Sequence, residues 1–237
     1  WNPLGHGKIN LAKALEVSCN VYFYKAIENI AFEDLALISH EFNFGDRVGI
    51  DLPSERKGLI PTPQYMRKKY EYRDESGKKI IDWARRGTKA NMGIGQGDVL
   101  VTPLQIINLI NIIANKGIEY SPHLIISKEN NIETRNVDLD ISIWKFLNKA
   151  MWDAVNSKNG TGRNARITDS NAFVRGKTGT AQNPHGEDHS WFAGYVVAKN
   201  LNKMSIVVMI ENGGRGSGVS SSIAKNIFSY FSSTNKE

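Results

Sequence analysis

The sequence predicts an α+β fold, an antiparallel sheet flanked by helices. Three observations predict it. Apolar residues recur at helical spacing through much of the first 155 residues. Runs rich in Val, Ile and aromatic residues follow at 173–181, 191–199 and 204–211. A last helical pattern runs from Val219 to Phe231. Helices first and strands later, in one chain of 237 residues, predict one sizeable domain with a single sheet.

The elements follow in order. Asn10 is a natural N-cap for a helix whose stripe is Leu11, Ala14 and Leu15. The stripe breaks at Ser18-Cys19-Asn20, and helical spacing resumes from Val21 to Ile30. A further helix is expected from Glu33 to Phe42, ending before Gly45. Gly49-Ile50-Asp51-Leu52-Pro53 reads as a short extended piece, and Gly58 to Pro63 as loop. Thr102-Pro103 starts the clearest helix, with Thr as N-cap and Pro at the first helical position. Gly117 is expected to cap its end in the left-handed conformation. Another helix follows Asp140 and runs to about Val155. The last two strand runs are separated by Asn200-Leu201-Asn202-Lys203, which predicts an antiparallel hairpin. Ser205 to Ile210 is apolar on both faces, as expected of a central strand.

Composition narrows the function classes. Hydrophobic residues make up 41% and charged residues 23%, which suits a globular chain with a packed core. The single cysteine, Cys19, excludes a disulfide framework and a four-cysteine zinc site. No run of eighteen apolar residues predicts a membrane-spanning helix. The opening Trp1-Asn2-Pro3-Leu4 has neither Met nor the features of a signal peptide, so the chain is expected to be part of something longer. The net charge of +6 is local: residues 65–90 hold nine Lys/Arg against four Asp/Glu. Their apolar periodicity is weak, and they read as a basic surface insertion. Tyr65, Tyr70, Tyr72 and Trp83 interleave with these charges, yet a solvated surface explains them better than nucleic acid does. Attraction to an anionic polymer or membrane surface is the milder alternative.

Two short motifs carry chemistry. Lys177-Thr178-Gly179-Thr180 places a cation and a glycine on a strand, where N–H groups of an open edge can pair with an extended peptide or face a developing oxyanion. Ser18-x-Asn20 offers a hydroxyl that relays a proton beside a Lys, and a carboxamide that holds an amide through donor and acceptor. Alone, the first also reads as a strand with a glycine bulge, and the second as helix capping.

Their order decides between these readings. Ser-x-Asn, then Gly93-Ile94-Gly95-Gln96-Gly97 with Thr102-Pro103-Leu104-Gln105, then Lys-Thr-Gly-Thr-Ala-Gln resembles the transpeptidase domain of class B penicillin-binding proteins. Gly5-His6-Gly7, Gly49 to Pro53, Gly58-Leu59-Ile60-Pro61-Thr62 and Ser190-Trp191-Phe192-Ala193-Gly194 are similar to the elongation, penicillin-binding protein 2 type. The resemblance covers nearly all of residues 1–237 and implies a five-stranded antiparallel sheet with the Lys-Thr-Gly strand at its edge. It implies acyl transfer from D-Ala-D-Ala stem peptides of peptidoglycan, with penicillins trapping the acyl-enzyme. Carried over, Ser18 shuttles the proton and Asn20 holds the substrate amide. Lys177 sets the field of the cleft, Thr178 binds the terminal carboxylate, Gly179 leaves room beside it, and the Thr180 N–H forms half of the oxyanion hole. It further implies a glycosyltransferase partner, action outside the cytoplasmic membrane and an anchor in the full-length protein. No nucleic acid, metal or cofactor is expected.

One departure matters. The family's nucleophile lies in a Ser-x-x-Lys element upstream of Ser-x-Asn, and no Ser precedes Ser18 here. The matches that exist, Ser54/Lys57, Ser76/Lys79, Ser142/Lys145, Ser222/Lys225 and Ser233/Lys236, all fall after it. The chain by itself is therefore expected to form no acyl-enzyme, and to be weakly stable where the missing helix leaves apolar surface open. His185-Gly186-Glu187-Asp188-His189 has metal-like content but reads as a solvated loop. The glycine-rich 93–97 lacks phosphate-loop spacing. Cys19 reads as a small buried hydrophobe. The alternatives are a β-lactamase or β-lactam sensor, which shares the motifs, and a non-catalytic scaffold half-domain.

Overall fold

The structure is a computed structural model that describes residues 2–81, 86–125, 133–169, 171–198 and 203–234. The helices of the first part are α1 (Leu11–Glu16), α2 (Asn20–Glu28), α3 (Phe32–Glu41) and α4 (Pro63–Tyr70). A small hairpin of β1 (Glu71–Arg73) and β2 (Lys79–Ile81) follows, then α5 (Arg86–Met92) and α6 (Pro103–Ala114). A second small hairpin joins β3 (Ile118–Tyr120) to β4 (Thr134–Asn136) ahead of α7 (Ile141–Asn156). The main sheet is β5 (Ala172–Ala181), β6 (His189–Ala198) and β7 (Met204–Ile210), and α8 (Val219–Thr234) ends the described chain.

Local chemistry sets the helix ends. Asn10 accepts from the Lys13 amide at 2.9 Å, as its cap position requires. Thr102 and Gln105 form a full capping box around Pro103. The far end of α6 differs from expectation. Lys116 takes the left-handed position at φ +56°, and the Gly117 amide closes the turn on the Ile112 carbonyl at 2.9 Å. Gly117 is needed one residue later, at φ +102°, where a Cβ would lie 3.0 Å from both the Trp144 indole nitrogen and the Val137 carbonyl.

The main sheet is antiparallel, ordered β5-β6-β7, with Gly176 opposite Gly194 and Lys177 opposite Ala193. Among the described residues it has three strands, against the five that the resemblance implies. β6 is the central one, so the doubly apolar β7 is an edge of this sheet rather than its middle. Alternation along β6 explains its burial on both faces. Phe192 meets Phe228 of α8 on one face, and Tyr195 joins Ile113 and Trp144 of α6 and α7 on the other. Ser190 fastens the start of α8, sharing hydrogen bonds with the Arg215 carbonyl at 3.0 Å and Ser220 at 2.7 Å.

The basic stretch contains elements that its weak periodicity hid. Thr62 caps α4, whose Met66 is fully buried against Phe32 and Met92. Charge on three sides of a short helix masks a single buried anchor. Lys69 and Tyr70 both hold Asp98, tying α4 to the loop after α5. Gly49 to Pro53 forms no strand; the Glu55 carboxylate instead accepts from the Val48 and Gly49 amides and curls the segment. Trp83 and most of the turn at 200–203 lie outside the described residues.

Candidate active site

The site begins at the break between two helices. α1 ends with Ser18 in the left-handed conformation at φ +52°, and the Cys19 amide bonds back to the Ala14 carbonyl at 2.9 Å. Cys19 and Ala14 pack together beneath this turn, the apolar contact that accompanies such an end. The interruption at Ser18-Cys19-Asn20 is therefore a built turn, and it uses serine where glycine is the unstrained choice.

Lys177 reaches this turn from β5. Its ammonium donates to Ser18 Oγ, and also to the Thr178 carbonyl at 2.9 Å. Burial lowers the Lys177 pKa to about 8. Ser18 Oγ lies 3.0 Å from Thr161 Oγ1, and Thr178 Oγ1 donates to the same Thr161 oxygen at 2.9 Å. The two sequence motifs, 159 residues apart, thus meet in one hydroxyl network. Asn20 opens α2 two residues beyond Ser18, with its side chain exposed and bonded to nothing among the described residues.

The edge of β5 completes the site. Thr180 sits on the side of β5 away from β6, where its carbonyl accepts from Gln96 Nε2 at 2.9 Å. In an antiparallel ladder the N–H and C=O of one residue face the same way, so the Thr180 N–H also faces this open edge. Gly179 lies tight on the sheet: a Cβ there would stand 3.2 Å from the Trp191 Cβ. The Gly216 amide donates to Thr180 Oγ1 at 3.1 Å and braces the strand from the α8 side.

The structure thus brings together Ser18, Lys177 and Thr178, sets Asn20 and Thr180 alongside, and adds two residues that the sequence reading did not single out. Gln96 lies in the glycine-rich stretch 93–97, yet only the fold shows its carboxamide on the strand edge. Thr161 had no signal beyond its flanking glycines. Cys19 is buried, and His189 begins β6, its ring nitrogen accepting from the Asn212 amide at 3.0 Å. Among the described residues no group of three His, Cys, Asp or Glu could hold a metal ion. No described helix is long and apolar enough to cross a membrane.

Known proteins are similar to this chain in sequence and in fold. A peptidoglycan D,D-transpeptidase MrdA of Haemophilus influenzae is 31% identical over 98% of the chain, which spans 37% of that protein. A penicillin-binding protein PBP2 of Helicobacter pylori, solved in complex with MreC, superposes with a TM-score of 0.82 at 27% identity, covering all of this chain and 42% of that one. A PBP2 of Pseudomonas aeruginosa in complex with WCK 5153 gives 0.80 at 29% identity, covering 98% and 51%. The chain spans under half the length of the first two. The penicillin-binding protein transpeptidase domain family matches residues 1–229, and the chain belongs to that family.

Proposed function

We propose that this chain is the substrate-holding part of a D,D-transpeptidase of peptidoglycan synthesis, of the elongation type. The observation that carries it is the Lys177–Ser18 hydrogen bond, which places an ammonium of lowered pKa on a hydroxyl at a peptide-binding strand edge. In the reaction, a serine hydroxyl attacks the carbonyl carbon between the two D-alanines. The C–N bond breaks, D-alanine leaves with the proton, and an ester joins enzyme to acyl group. The amine of a neighbouring stem then attacks the ester, forms the cross-link amide and returns the proton to the serine.

Each group here serves those steps. Lys177 supplies positive charge to the cleft and keeps the Ser18 hydroxyl proton turned away from it. Ser18 carries the proton to the leaving nitrogen. Asn20, exposed on the first turn of α2, holds the stem-peptide amide. The peptide pairs with the open edge of β5 as an added strand. Thr178 takes the terminal carboxylate, Gly179 lets the peptide approach, and the Thr180 N–H points at the oxyanion. β-Lactams occupy the same cleft. In the whole protein the partners are stem peptides, a wall-synthesis glycosyltransferase and a protein such as the MreC bound by the H. pylori relative, at the outer face of the cytoplasmic membrane.

The attacking hydroxyl is not among the residues of this chain. Ser54 sits in a turn at φ +67°, Ser76 is spent on Asp74, Ser222 on the Gly218 carbonyl and Ser233 on the Tyr230 carbonyl. Ser142 lies exposed at the start of α7. None has a hydrogen bond to Ser18 or Lys177 among the described residues. The isolated 237-residue chain therefore binds penicillin reversibly and forms no acyl-enzyme. Incubation with a fluorescent penicillin and a denaturing gel tests this: the expected lane is dark, and a labelled band at 26.5 kDa overturns it. Rapid hydrolysis of a chromogenic cephalosporin would favour a β-lactamase instead.

A further inference from the structure

We propose that Thr161 is a positioning residue that couples the carboxylate seat at Thr178 to the proton of Ser18. The inference rests on the transpeptidase reading above and adds to it a group outside the two motifs. Its basis is geometric. Thr161 Oγ1 is the one oxygen, among the described residues, hydrogen-bonded to both Ser18 Oγ and Thr178 Oγ1, at 3.0 and 2.9 Å.

The hydroxyl is held, not loosely hung. The Thr161 amide donates to the Glu16 carbonyl at 3.2 Å, on the last turn of α1. The next amide, of Gly162, donates to the Ala154 carbonyl on α7 at 2.8 Å. Gly160 lies against the same carbonyl, where a Cβ would approach to 2.3 Å. Ser157 donates to the Glu16 carboxylate at 2.6 Å, a second tie between α1 and this loop. Main chain on both sides thus fixes where Thr161 can place its oxygen. Lys177 and Thr178, adjacent on β5, point to opposite faces of the strand. Ser18 and Thr161 close the circuit between them around its open edge.

Proton counting gives the coupling. Lys177 donates to Ser18, so the serine's own proton turns elsewhere, and among the described residues Thr161 offers an acceptor at 3.0 Å. Thr161 accepts from Thr178 as well, which fills both of its lone pairs. A ligand carboxylate accepts the Thr178 hydrogen bond in its place, and Thr161 loses that donor. Its own O–H can then turn to donate to Thr178 or Ser18. When it donates to Ser18, the serine proton is freed toward the leaving nitrogen. No bond to carbon changes and no proton is gained or lost; three hydroxyls, of Thr178, Thr161 and Ser18, rotate. Occupancy of the carboxylate seat thereby sets the direction of the Ser18 proton.

A thermodynamic cycle on the 237-residue chain tests this without any acylation. The ligand is diacetyl-L-lysyl-D-alanyl-D-alanine, with its C-terminal amide as the control, and the readout is Kd by NMR titration. With Thr161 in place, Ser18→Ala should change the affinity for the acid by about 2- to 10-fold, the span of one neutral hydrogen bond, and leave the amide unmoved. In Thr161→Val that effect of Ser18→Ala should vanish, and in Thr161→Ser it should return. A Ser18→Ala effect of equal size with and without the Thr161 hydroxyl overturns the coupling while the transpeptidase reading stands. An equal loss of acid and amide binding in Thr161→Val, not restored by Thr161→Ser, makes the residue a mere support and also overturns it. Failure of the unaltered chain to bind the acid overturns both.

Discussion

Ser18 shows how a candidate site residue differs from a structural one. A left-handed C-terminal position favours glycine, and a serine there costs about 1 kcal/mol. That cost is carried where the hydroxyl meets Lys177 and Thr161. Ser18→Gly and Ser18→Ala both delete the hydroxyl, but only glycine relaxes the backbone at φ +52°. Urea unfolding should find the glycine variant about 1 kcal/mol the more stable of the two. Lys177 gives a pH signature. Burial lowers its pKa from 10.5 to about 8, so between those values the unfolded chain binds more protons than the folded one. Stability should rise with pH across that window, and the burial penalty is present in full below it. In Lys177→Met this part of the rise should be missing from urea midpoints measured from pH 7.5 to 10.5. Affinity for the D-Ala-D-Ala acid should fall over the same window as the ammonium loses its charge. The Ser-x-Asn and Lys-Thr-Gly candidates, which the structure brings together, could be picked out because they are fixed tripeptides. Thr161 was not, because a lone hydroxyl has no periodicity and its partners lie 143 and 17 residues away.

At the scale of elements, α6 is the part most fully written in the chain. Thr102, Pro103 and Gln105 make its start unmistakable, and the structure adds what Gln105 does. The residue is fully buried; its Oε1 accepts from the Thr102 amide, and its Nε2 lies 2.8 to 2.9 Å from the carbonyls of Asn43, Asp46 and Lys57. One carboxamide therefore satisfies loops that have no sheet to join. Gln105→Leu leaves these carbonyls buried without a donor and should cost about 3 kcal/mol or more by urea unfolding, with the midpoint lowered and the slope unchanged. The elements that sequence periodicity missed, α4, α5 and the two small hairpins, are short. Three-residue strands carry too few positions to show alternation, and α4 turns one apolar anchor, Met66, into the core among basic neighbours. The cap of α6 was expected one residue late, since Lys116 in the left-handed conformation has no mark in composition.

For the whole molecule, the site is an assembly of distant segments: the α1–α2 turn, the loop after α5, the turn after α7 and the edge strand β5. Each is clamped by the core on which it sits. α6 and α7 press one face of the sheet through Ile113, Trp144 and Tyr195, and α8 presses the other through Phe228. By itself the sequence determined the α+β class, the helix starts marked by side-chain caps, the strand runs, the motif order and the absence of a Ser-x-x-Lys ahead of Ser18. Those features are local or linear: a cap reads three residues, a strand alternates by two, and a motif is read along the chain. Tertiary structure alone decided that β6, not β7, is central among the described strands, that Gln96 meets the Thr180 carbonyl, and that Thr161 joins Ser18 to Thr178. The physical reason is that strand order and hydroxyl contacts depend on packing across the chain. No run of neighbouring residues encodes which distant group will lie 3 Å away.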